Sequence, residues 1–140
     1  MNKVVARYVD GRMHKGFTND FTPAKDEFHI ALDGAAASAP PIKVRRGELK
    51  ALFFVKDFAG NPEHDEKKDL DAARAGSGRK IRVVFKDGEE LVGTTLGYQS
   101  GRPGFFLELV DKGSNIERCY VVTAATREVS FIVESATPRP

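Results

Sequence analysis

Three histidines and one cysteine are the side chains that could bind a metal ion or form a nucleophile-base pair. His14, His29 and His64 fall in separate parts of the chain, and Cys119 stands far from all of them. A structural zinc site needs four clustered ligands, and a catalytic zinc site needs three ligands and an open position. The spacing therefore predicts no metal site, no cofactor and no catalytic pair, and we expect a protein without enzymatic activity.

An aromatic residue and an arginine stand close together in a glycine-rich stretch, residues 97–104. Tyr98 and Arg102 could hold a base or another planar ligand by stacking. The stretch joins two predicted strands and precedes no helix, so it lacks the backbone N–H groups with which a helix N-terminus binds phosphate. The alternative is a turn, with Tyr98 packed in the core, and the sequence favours this second interpretation.

Basic residues are concentrated near the end of the first half of the chain. Arg45 and Arg46 follow Lys43, and Lys50 comes shortly afterwards. One interpretation is a contact with an anion or with an RNA backbone, in which the cations displace counterions. The other is a solvated sheet edge whose charges discourage pairing with other molecules. We expect the solvated edge, which needs no ligand.

One predicted strand is apolar on both of its faces. Leu52 and Phe54 share one face, while Ala51, Phe53 and Val55 share the other. A strand that is apolar on both faces has to bury both of them. We therefore predict that Ala51, Phe53 and Val55 form an interface, either with the second half of the chain or with another subunit.

These candidates lie within an internal repeat that has a spacing of 77 residues. Residues 4–11 match residues 81–88, and residues 28–32 match residues 105–109 in the same register. Self-similarity at a fixed period indicates that one structural unit occurs twice. The shared positions are explained by turns, bends and core, so the positions at which the copies differ are where we expect function to lie.

Each copy has the pattern of a small β-structure. Apolar residues alternate with polar ones along its first segment, which is typical of a half-buried strand. Asp-Gly pairs ending at Gly11 and Gly88 then predict tight type I′ hairpin turns. Gly16 and its counterpart Gly93 interrupt the second strand and indicate a sharp bend. With about five short strands in each copy, we predict an all-β protein made of two tandem five-stranded barrels.

The chain divides into four predicted segments. The first barrel repeat spans residues 1–56, and the second spans residues 80–134. Residues 57–79 form a charged linker that is polar nearly all round, so they are expected to be an exposed helix or a mobile segment. Residues 135–140 contain two prolines and are expected to be disordered.

Composition and charge argue against several classes of protein. The chain has 140 residues, of which 41% are hydrophobic and 30% are charged, with a net charge of +2. No apolar run approaches the roughly 20 residues of a membrane span, and we expect neither a signal peptide nor membrane insertion. A single cysteine cannot form an internal disulfide, which favours a reducing, cytoplasmic setting. The weak basic bias argues against a dedicated nucleic-acid binder.

Two short runs resemble the Sm-like family of RNA-associated small barrels. Residues 8–12 with Gly16 have the pattern of that family's first hairpin, and residues 42–49 have its arginine-glycine step into the last strand. The resemblance implies an Sm-like or SH3-like barrel for each copy and adds RNA to the candidate partners.

A longer resemblance rests on residues 93–106, GTTLGYQSGRPGFF, and on residues 114–118, SNIER. These runs are similar to an uncharacterised bacterial family of duplicated small β-barrel domains found around signalling proteins. The resemblance covers most of the chain and brings no known activity.

Two functional hypotheses follow. The leading one is a non-enzymatic bacterial protein-interaction or regulatory module, which binds a protein partner or self-associates through the predicted interface strand. The alternative is an Sm-like RNA- or nucleotide-binding protein, with these candidate contacts: Arg45, Arg46, Tyr98 and Arg102. Neither hypothesis includes a cofactor, a metal ion or a membrane.

Overall fold

Antiparallel strands make up the regular structure, and the all-β prediction is confirmed. The computed structural model describes residues 2–36, 38–58, 79–95, 97–99, 101–109 and 116–132. The strands of the first half are β1 (Asn2–Tyr8), β2 (Met13–Thr18), β3 (Glu27–Leu32), β4 (Ile42–Arg45) and β5 (Leu49–Val55). Those of the second half are β6 (Arg79–Phe85), β7 (Glu90–Thr95), β8 (Gly104–Leu109), β9 (Ile116–Val122) and β10 (Thr126–Phe131). Short 3-10 turns, Arg46–Glu48 and Thr123–Ala125, lead into β5 and β10.

Parts of the predicted segmentation fall outside the described residues. This holds for the predicted tail, residues 135–140, and for residues 59–78 of the predicted linker. At the linker's end, Arg79 already belongs to β6.

All of these strands belong to one open sheet in the order β10-β6-β7-β8-β9-β5-β1-β2-β3-β4. The two halves have the same internal order, because β6 to β10 repeat the arrangement of β1 to β5. They are joined where β5 pairs with β9. The prediction of two tandem five-stranded barrels is therefore not confirmed. Each half instead supplies one strand edge to the other half, since the backbone N–H and C=O groups of a buried strand need partners.

The hairpins that begin the two halves have three-residue loops. In the first hairpin, the Tyr8 amide donates to the Arg12 carbonyl over 2.9 Å, and the Gly11 amide donates to the Tyr8 carbonyl over 3.1 Å. Gly11 and Gly88 have φ angles of 94° and 95°, and no described non-glycine residue has a positive φ. This is the pattern of a three-residue loop with a glycine bulge. The predicted type I′ turn is wrong, because it requires positive φ at both central residues and the aspartate does not adopt it.

Gly16 and Gly93 lie where a neighbouring strand leaves no room for a side chain. A Cβ atom on Gly16 would collide with the carbonyl oxygen of Ala31, and one on Gly93 would collide with that of Glu108. At these glycines β2 pairs with β3, and β7 with β8, over two residue pairs each. The two-residue pairing in each half is thus possible only because glycine has no side chain.

Two hydrophobic cores lie on opposite faces of the joined strands β5 and β9. The first core combines buried residues of the first half with two residues of β9: Val4, Ala6, Tyr8, Phe28, Ile30, Val44, Leu49, Leu52, Phe54, Tyr120 and Val122. The second core combines buried residues of the second half with three residues of β5: Ala51, Phe53, Val55, Ile81, Val83, Phe85, Leu91, Phe105, Leu107, Leu109, Cys119, Val121 and Ala125. Successive residues of a strand point to opposite faces, so β5 and β9 each serve both cores.

The strands at the two ends of the sheet, β4 and β10, are the repeat counterparts of the joined strands β9 and β5. Lys43 and Arg45 on β4 stand where β9 has Tyr120 and Val122. Glu128 on β10 likewise stands where β5 has an apolar residue. Charged side chains on an edge strand oppose pairing with another chain. The joined edges are therefore apolar, whereas the free edges are charged.

Replacing Gly16 with alanine should destabilise the fold by about 2 kcal/mol, because the added Cβ meets backbone atoms of β3 that cannot move independently. Gly47→Ala is the matched control, since a Cβ on Gly47 would have open space around it. Urea unfolding of both variants measures the difference. Equal free energies of unfolding would contradict the close approach of β2 to β3.

Making the free edges resemble the joined edges should cause the chain to associate head to tail. The variant combines Lys43→Tyr and Arg45→Val on β4 with Glu128→Ala and Ser130→Phe on β10, which copies residues of β9 and β5. Such a heterologous contact need not close on two copies, so light scattering should show a mass that rises with concentration. Variants changed on β4 alone or on β10 alone are the controls. A combined variant with the wild-type mass would show that the charges are not the barrier.

Candidate functional site

The side chains with reactive potential are separated in the structure. His14 Nδ1 lies 3.1 Å from the hydroxyl of Tyr8. Cys119 is fully buried, and burial raises the pKa of its thiol far above the usual value, which keeps it protonated. Among the described residues, no group of three His, Cys, Asp or Glu side chains could hold a metal ion. His64 lies outside the described residues.

His29 is held by a carboxylate that the sequence did not single out. Asp20 accepts hydrogen bonds from the His29 backbone N–H over 3.0 Å and from the Thr18 hydroxyl over 3.2 Å. Its second oxygen lies 2.8 Å from His29 Nδ1. Partial burial opposes ionisation of Asp20, but these hydrogen bonds together lower its pKa. The pair therefore fastens the loop between β2 and β3 in place.

The neighbouring arginines Arg45 and Arg46 have different environments. The Arg46 side chain is 13% exposed, and its guanidinium donates to the carbonyl oxygens of Pro23 over 2.6 Å and Lys25 over 2.8 Å. The Arg45 side chain is 68% exposed and lies 3.4 Å from the carboxylate of Glu27. Arg46 thus clamps the loop between β2 and β3, which neither interpretation of the basic residues anticipated. Arg45 lies on the solvated edge of the sheet.

Tyr98 and Arg102 do not act together. The Tyr98 ring packs edge-on against Phe105 and Phe131, at centroid distances of 4.8 and 5.6 Å. Arg102 is exposed and lines a separate cavity of about 430 Å³, of which Tyr98 is not a lining residue. Of the two interpretations of this stretch, the structure places Tyr98 in the packing of the second half.

The residues of the predicted interface lie in the second core. Ala51, Phe53 and Val55 are at most 5% exposed. The sequence left open whether the second half of the chain or another subunit covers this face. In the structure the second half covers it. Phe53 and Val55 also line a cavity of about 340 Å³ that opens to the surface.

We call this cavity the apolar groove. It is lined by seven apolar and three charged residues: Val5, Arg7, Met13, Lys15, Phe53, Val55, Phe58, Glu89, Leu91 and Ile116. Met13 is 51% exposed, which is unusual for so large an apolar side chain. At the rim, Arg7 pairs with Glu89 over 3.5 Å, and Lys15 Nζ donates to the Phe58 carbonyl over 2.9 Å. The groove is therefore apolar at its floor and charged at its rim.

A second cavity, of about 430 Å³, lies where a loop of the first half meets strands of the second half. We call it the arginine cleft, and it is lined by Pro23, Thr94, Thr95, Gly97, Arg102, Gly104, Phe105, Phe106, Glu108, Arg118 and Tyr120. Sequence reasoning missed Arg118 and Tyr120. The repeat did contain a signal, because these two residues stand where the first copy has Pro41 and Lys43.

An aromatic cluster between the halves lies next to this cleft. The Phe21 ring, from the loop after β2, packs against Phe28 and Phe54 at centroid distances of 5.0 and 6.1 Å. It also packs against Phe106 and Tyr120 of the second half, at 6.3 and 5.2 Å. Phe21 therefore anchors a loop of the first half on strands of the second half.

A buried lysine forms a polar clasp between the halves. Lys50 on β5 is 4% exposed, and its Nζ lies 2.7 Å from the carboxylate of Asp87 and also contacts that of Glu89. It stands 4.8 Å from the centre of the Phe85 ring. The hydrogen bond from Lys50 is the main cause of the lowered pKa of Asp87. The sequence suggested a solvated lysine, because its partners come within reach only when the halves join.

The fold and these cavities define an all-β protein whose two halves have the same strand order, with one cavity on each side of the β5–β9 pair. The chain belongs to a family of unknown function, DUF6982, whose family model matches residues 1–133. Comparison with curated proteins and with solved structures found no match. Within the described part of the chain, no helix is long and apolar enough to cross a membrane. The prediction of an uncharacterised family is confirmed, whereas the Sm-like and SH3-like resemblances stay predictions.

Breaking the Lys50 clasp should make stability less dependent on pH in the acid range. The pKa of Asp87 is lowered in the folded protein, so its ion pair stabilises the fold above the unfolded-state pKa. This stabilisation is lost as the pH falls through the folded-state pKa. Lys50→Met should therefore lose less stability than the wild type between about pH 5 and pH 3, as measured by urea unfolding.

Lys43→Met is the matched control for this experiment. Lys43 is exposed and pairs with Glu27 over 3.7 Å. An exposed pair of this kind contributes little to stability, so the control should keep the wild-type pH dependence. If Lys50→Met also keeps it, the clasp is not the source of the acid sensitivity.

Proposed function

We propose that the protein is a non-enzymatic interaction module whose apolar groove binds a peptide segment of a protein partner. The segment places one large apolar side chain in the groove and carries acidic residues beside it. The observation that carries this proposal is the exposed Met13 next to the floor of Phe53 and Val55. Exposed apolar surface that is contiguous and rimmed by polar groups marks interaction sites.

The groove suits an apolar anchor because its floor is rigid. Phe53 and Val55 are packed in the second core, so a ligand does not have to order them when it binds. A cavity of about 340 Å³ can accept one aromatic or long aliphatic side chain. Such anchors contribute most of the binding free energy in many protein interfaces. Met13 at the mouth can adapt its flexible side chain to the anchor.

The charges around the groove favour an acidic partner. Arg7 and Glu89 neutralise each other at the rim, which leaves the charge of Lys15 uncompensated among the lining residues. Lys3 Nζ stands 6.0 Å from the ring centre of Phe58, another lining residue. Complementary charges at the rim steer association and select against basic peptides. The proposed ligand is therefore acidic around its apolar anchor.

The environment of the reactive groups supports binding rather than catalysis. The Cys119 thiol is buried and protonated. His14 and His29 are each engaged with a side chain of their own half. The regulatory role in bacteria and the cytoplasmic location belong to the same proposal. The resemblance to the bacterial family supports the role, and the single cysteine supports the location.

We further infer that each half is an Sm-like or SH3-like unit that has opened into the shared sheet. Both halves have five strands in the same order, and both have a close crossing at the glycine of the second strand, Gly16 or Gly93. A glycine inside a strand, where another backbone approaches closely, is typical of the tight bends at the corners of small barrels. RNA binding, the other expectation of that resemblance, has weaker support because the Arg46 guanidinium is occupied by its loop.

Selection from a random peptide library identifies what the groove binds without assuming a partner. The expected consensus is one large apolar residue flanked by aspartate or glutamate. Met13→Glu should weaken binding of a selected peptide by about tenfold, because it puts a like charge at the mouth of the groove. Val9→Glu is the matched control, since Val9 is 62% exposed and is not among the residues that line the groove. This control should bind as the wild type does.

Three results would overturn the peptide proposal. The first is a consensus without acidic residues, and the second is an equal loss of binding in Met13→Glu and Val9→Glu. The third is a wild-type dimer that Met13→Glu dissociates, because a second copy would then occupy the groove. Salt-sensitive binding of mixed RNA that Arg45→Ala weakens and Met13→Glu does not would support the alternative function instead.

A further inference from the structure

The arginine cleft combines positive charge, an unpartnered hydroxyl and apolar walls, and peptide binding in the apolar groove makes no use of it. We propose that this cleft binds a small organic phosphate of about mononucleotide size. The phosphate lies between the guanidinium groups of Arg102 and Arg118, and the organic part rests against the apolar wall.

The charge of the cleft comes from arginines that have no acidic partner in the described part of the chain. Five other arginines form ion pairs with carboxylates: Arg7, Arg12, Arg45, Arg46 and Arg82. Arg102 and Arg118 form none among the described residues, yet both line one cavity. Glu108 is the one acidic lining residue, so the lining has a net positive charge. Guanidinium groups are well suited to phosphate because they donate two parallel hydrogen bonds.

The Arg118 side chain is held in position before any ligand binds. Its guanidinium carbon lies 4.5 Å from the ring centre of Phe54 and 4.6 Å from that of Phe106. Stacking on rings uses the faces of the guanidinium and leaves its N–H groups free to donate in the plane. A cation fixed in this way loses little conformational freedom when it binds an anion.

The hydroxyl of Tyr120 is an independent sign of a ligand. Tyr120 is 1% exposed, and its hydroxyl has no hydrogen-bond partner within the described structure. Buried polar groups without a partner are rare and need an explanation. A Cβ on Gly104, which also lines the cleft, would lie 2.5 Å from this hydroxyl oxygen. Glycine at this position thus keeps a side chain away from the hydroxyl, and a phosphate oxygen bound in the cleft would supply the missing acceptor.

The size and the walls of the cleft point to an organic phosphate rather than a bare ion. A volume of about 430 Å³ is within the range of small-molecule sites, roughly 300–1,000 Å³. Phe105, Phe106 and Pro23 supply apolar surface to this cavity. Inorganic phosphate would leave that surface uncovered, whereas a ligand with a planar or apolar group would bury it.

The repeat shows that the strands do not require these residues. The cleft has Arg102, Phe106, Arg118 and Tyr120 where the first copy has Lys25, His29, Pro41 and Lys43. The first half forms the same strand order with those other residues. Phe106 and Tyr120 also pack in the aromatic cluster between the halves, so Arg102 and Arg118 are the two of these residues that packing leaves free to serve binding.

A nuclear magnetic resonance titration with adenosine 5′-monophosphate tests the proposal. Amide signals of Gly97 and Gly104 should shift in a saturable way, with a dissociation constant of about 1 mM or lower. Adenosine alone and inorganic phosphate alone should bind more weakly than the nucleotide. Arg118→Met, which keeps an unbranched side chain over the rings, should weaken binding about tenfold. Tyr120→Phe, which removes only the hydroxyl, should weaken it about threefold to tenfold.

Arg79→Met is the matched control. The Arg79 guanidinium carbon lies 3.6 Å from the centre of the Phe131 ring, which is the repeat counterpart of the Phe54 ring, and Arg79 is not a lining residue of the cleft. This control should bind the nucleotide as the wild type does. Met13→Glu should also bind the nucleotide as the wild type does, which would show that nucleotide binding does not take place in the apolar groove.

Several results would overturn the proposal. These are the absence of a saturable shift at about 10 mM nucleotide, an equal loss in Arg79→Met, and unchanged binding in both Arg118→Met and Tyr120→Phe. Inorganic phosphate that binds as tightly as the nucleotide would show a site for a simple anion. If Tyr120→Phe does not fold, Arg102→Gln replaces it, and unchanged binding in that variant and in Arg118→Met is equally decisive.

Discussion

The pairing of β5 with β9 is the interaction on which the rest of the structure depends. It runs from Ala51 opposite Val121 to Val55 opposite Ile116, and it joins β5, which is buried along its whole length, to β9, which is buried from Cys119 to Val122. Burial of a large apolar side chain contributes about 1.5–3 kcal/mol, and each core receives two such side chains from the other half, Tyr120 and Val122 in the first core and Phe53 and Val55 in the second. Neither half could keep its core and its strand edge covered alone. Each half thus depends on the other for part of its core and for the pairing of one strand edge.

Both candidate sites depend on the pairing of β5 with β9. A bulge between Phe54 and Val55 changes which residues of β9 lie beside them. Ile116 pairs with Val55 and lines the apolar groove, whereas Arg118 pairs with Phe54 and lines the arginine cleft. One strand pair therefore forms a wall of both sites. Residues where β5 meets β9 do not have to follow the alternation of apolar and polar residues that each half needs in its other strands. This explains why the two copies differ there.

The periodicity and the internal repeat predicted the strands and their buried faces. They did not predict which strand edges pair between the two halves, and the reasons are physical. The core packing of Tyr98 could be anticipated because its counterpart Phe21 is also aromatic. Barrel closure could not be judged, because hydrophobic alternation says which face is buried and not which strand edge lies next to it. The roles of Arg46 and Lys50 were missed for a related reason. Their partners come from other loops, and only the folded sheet brings those loops near.

By itself, the sequence determined the 77-residue repeat, the strand pattern, the hairpin positions and the second apolar face of β5. These properties are local, because turn residues and alternation act within a few positions of the chain. Only the tertiary structure decided that the second half of the chain covers that face, that Lys50 is buried against Asp87, and that Arg118 and Tyr120 share a cleft with a loop of the first half. These features depend on contacts between residues far apart in the chain, and no local pattern specifies which distant edges and loops will meet.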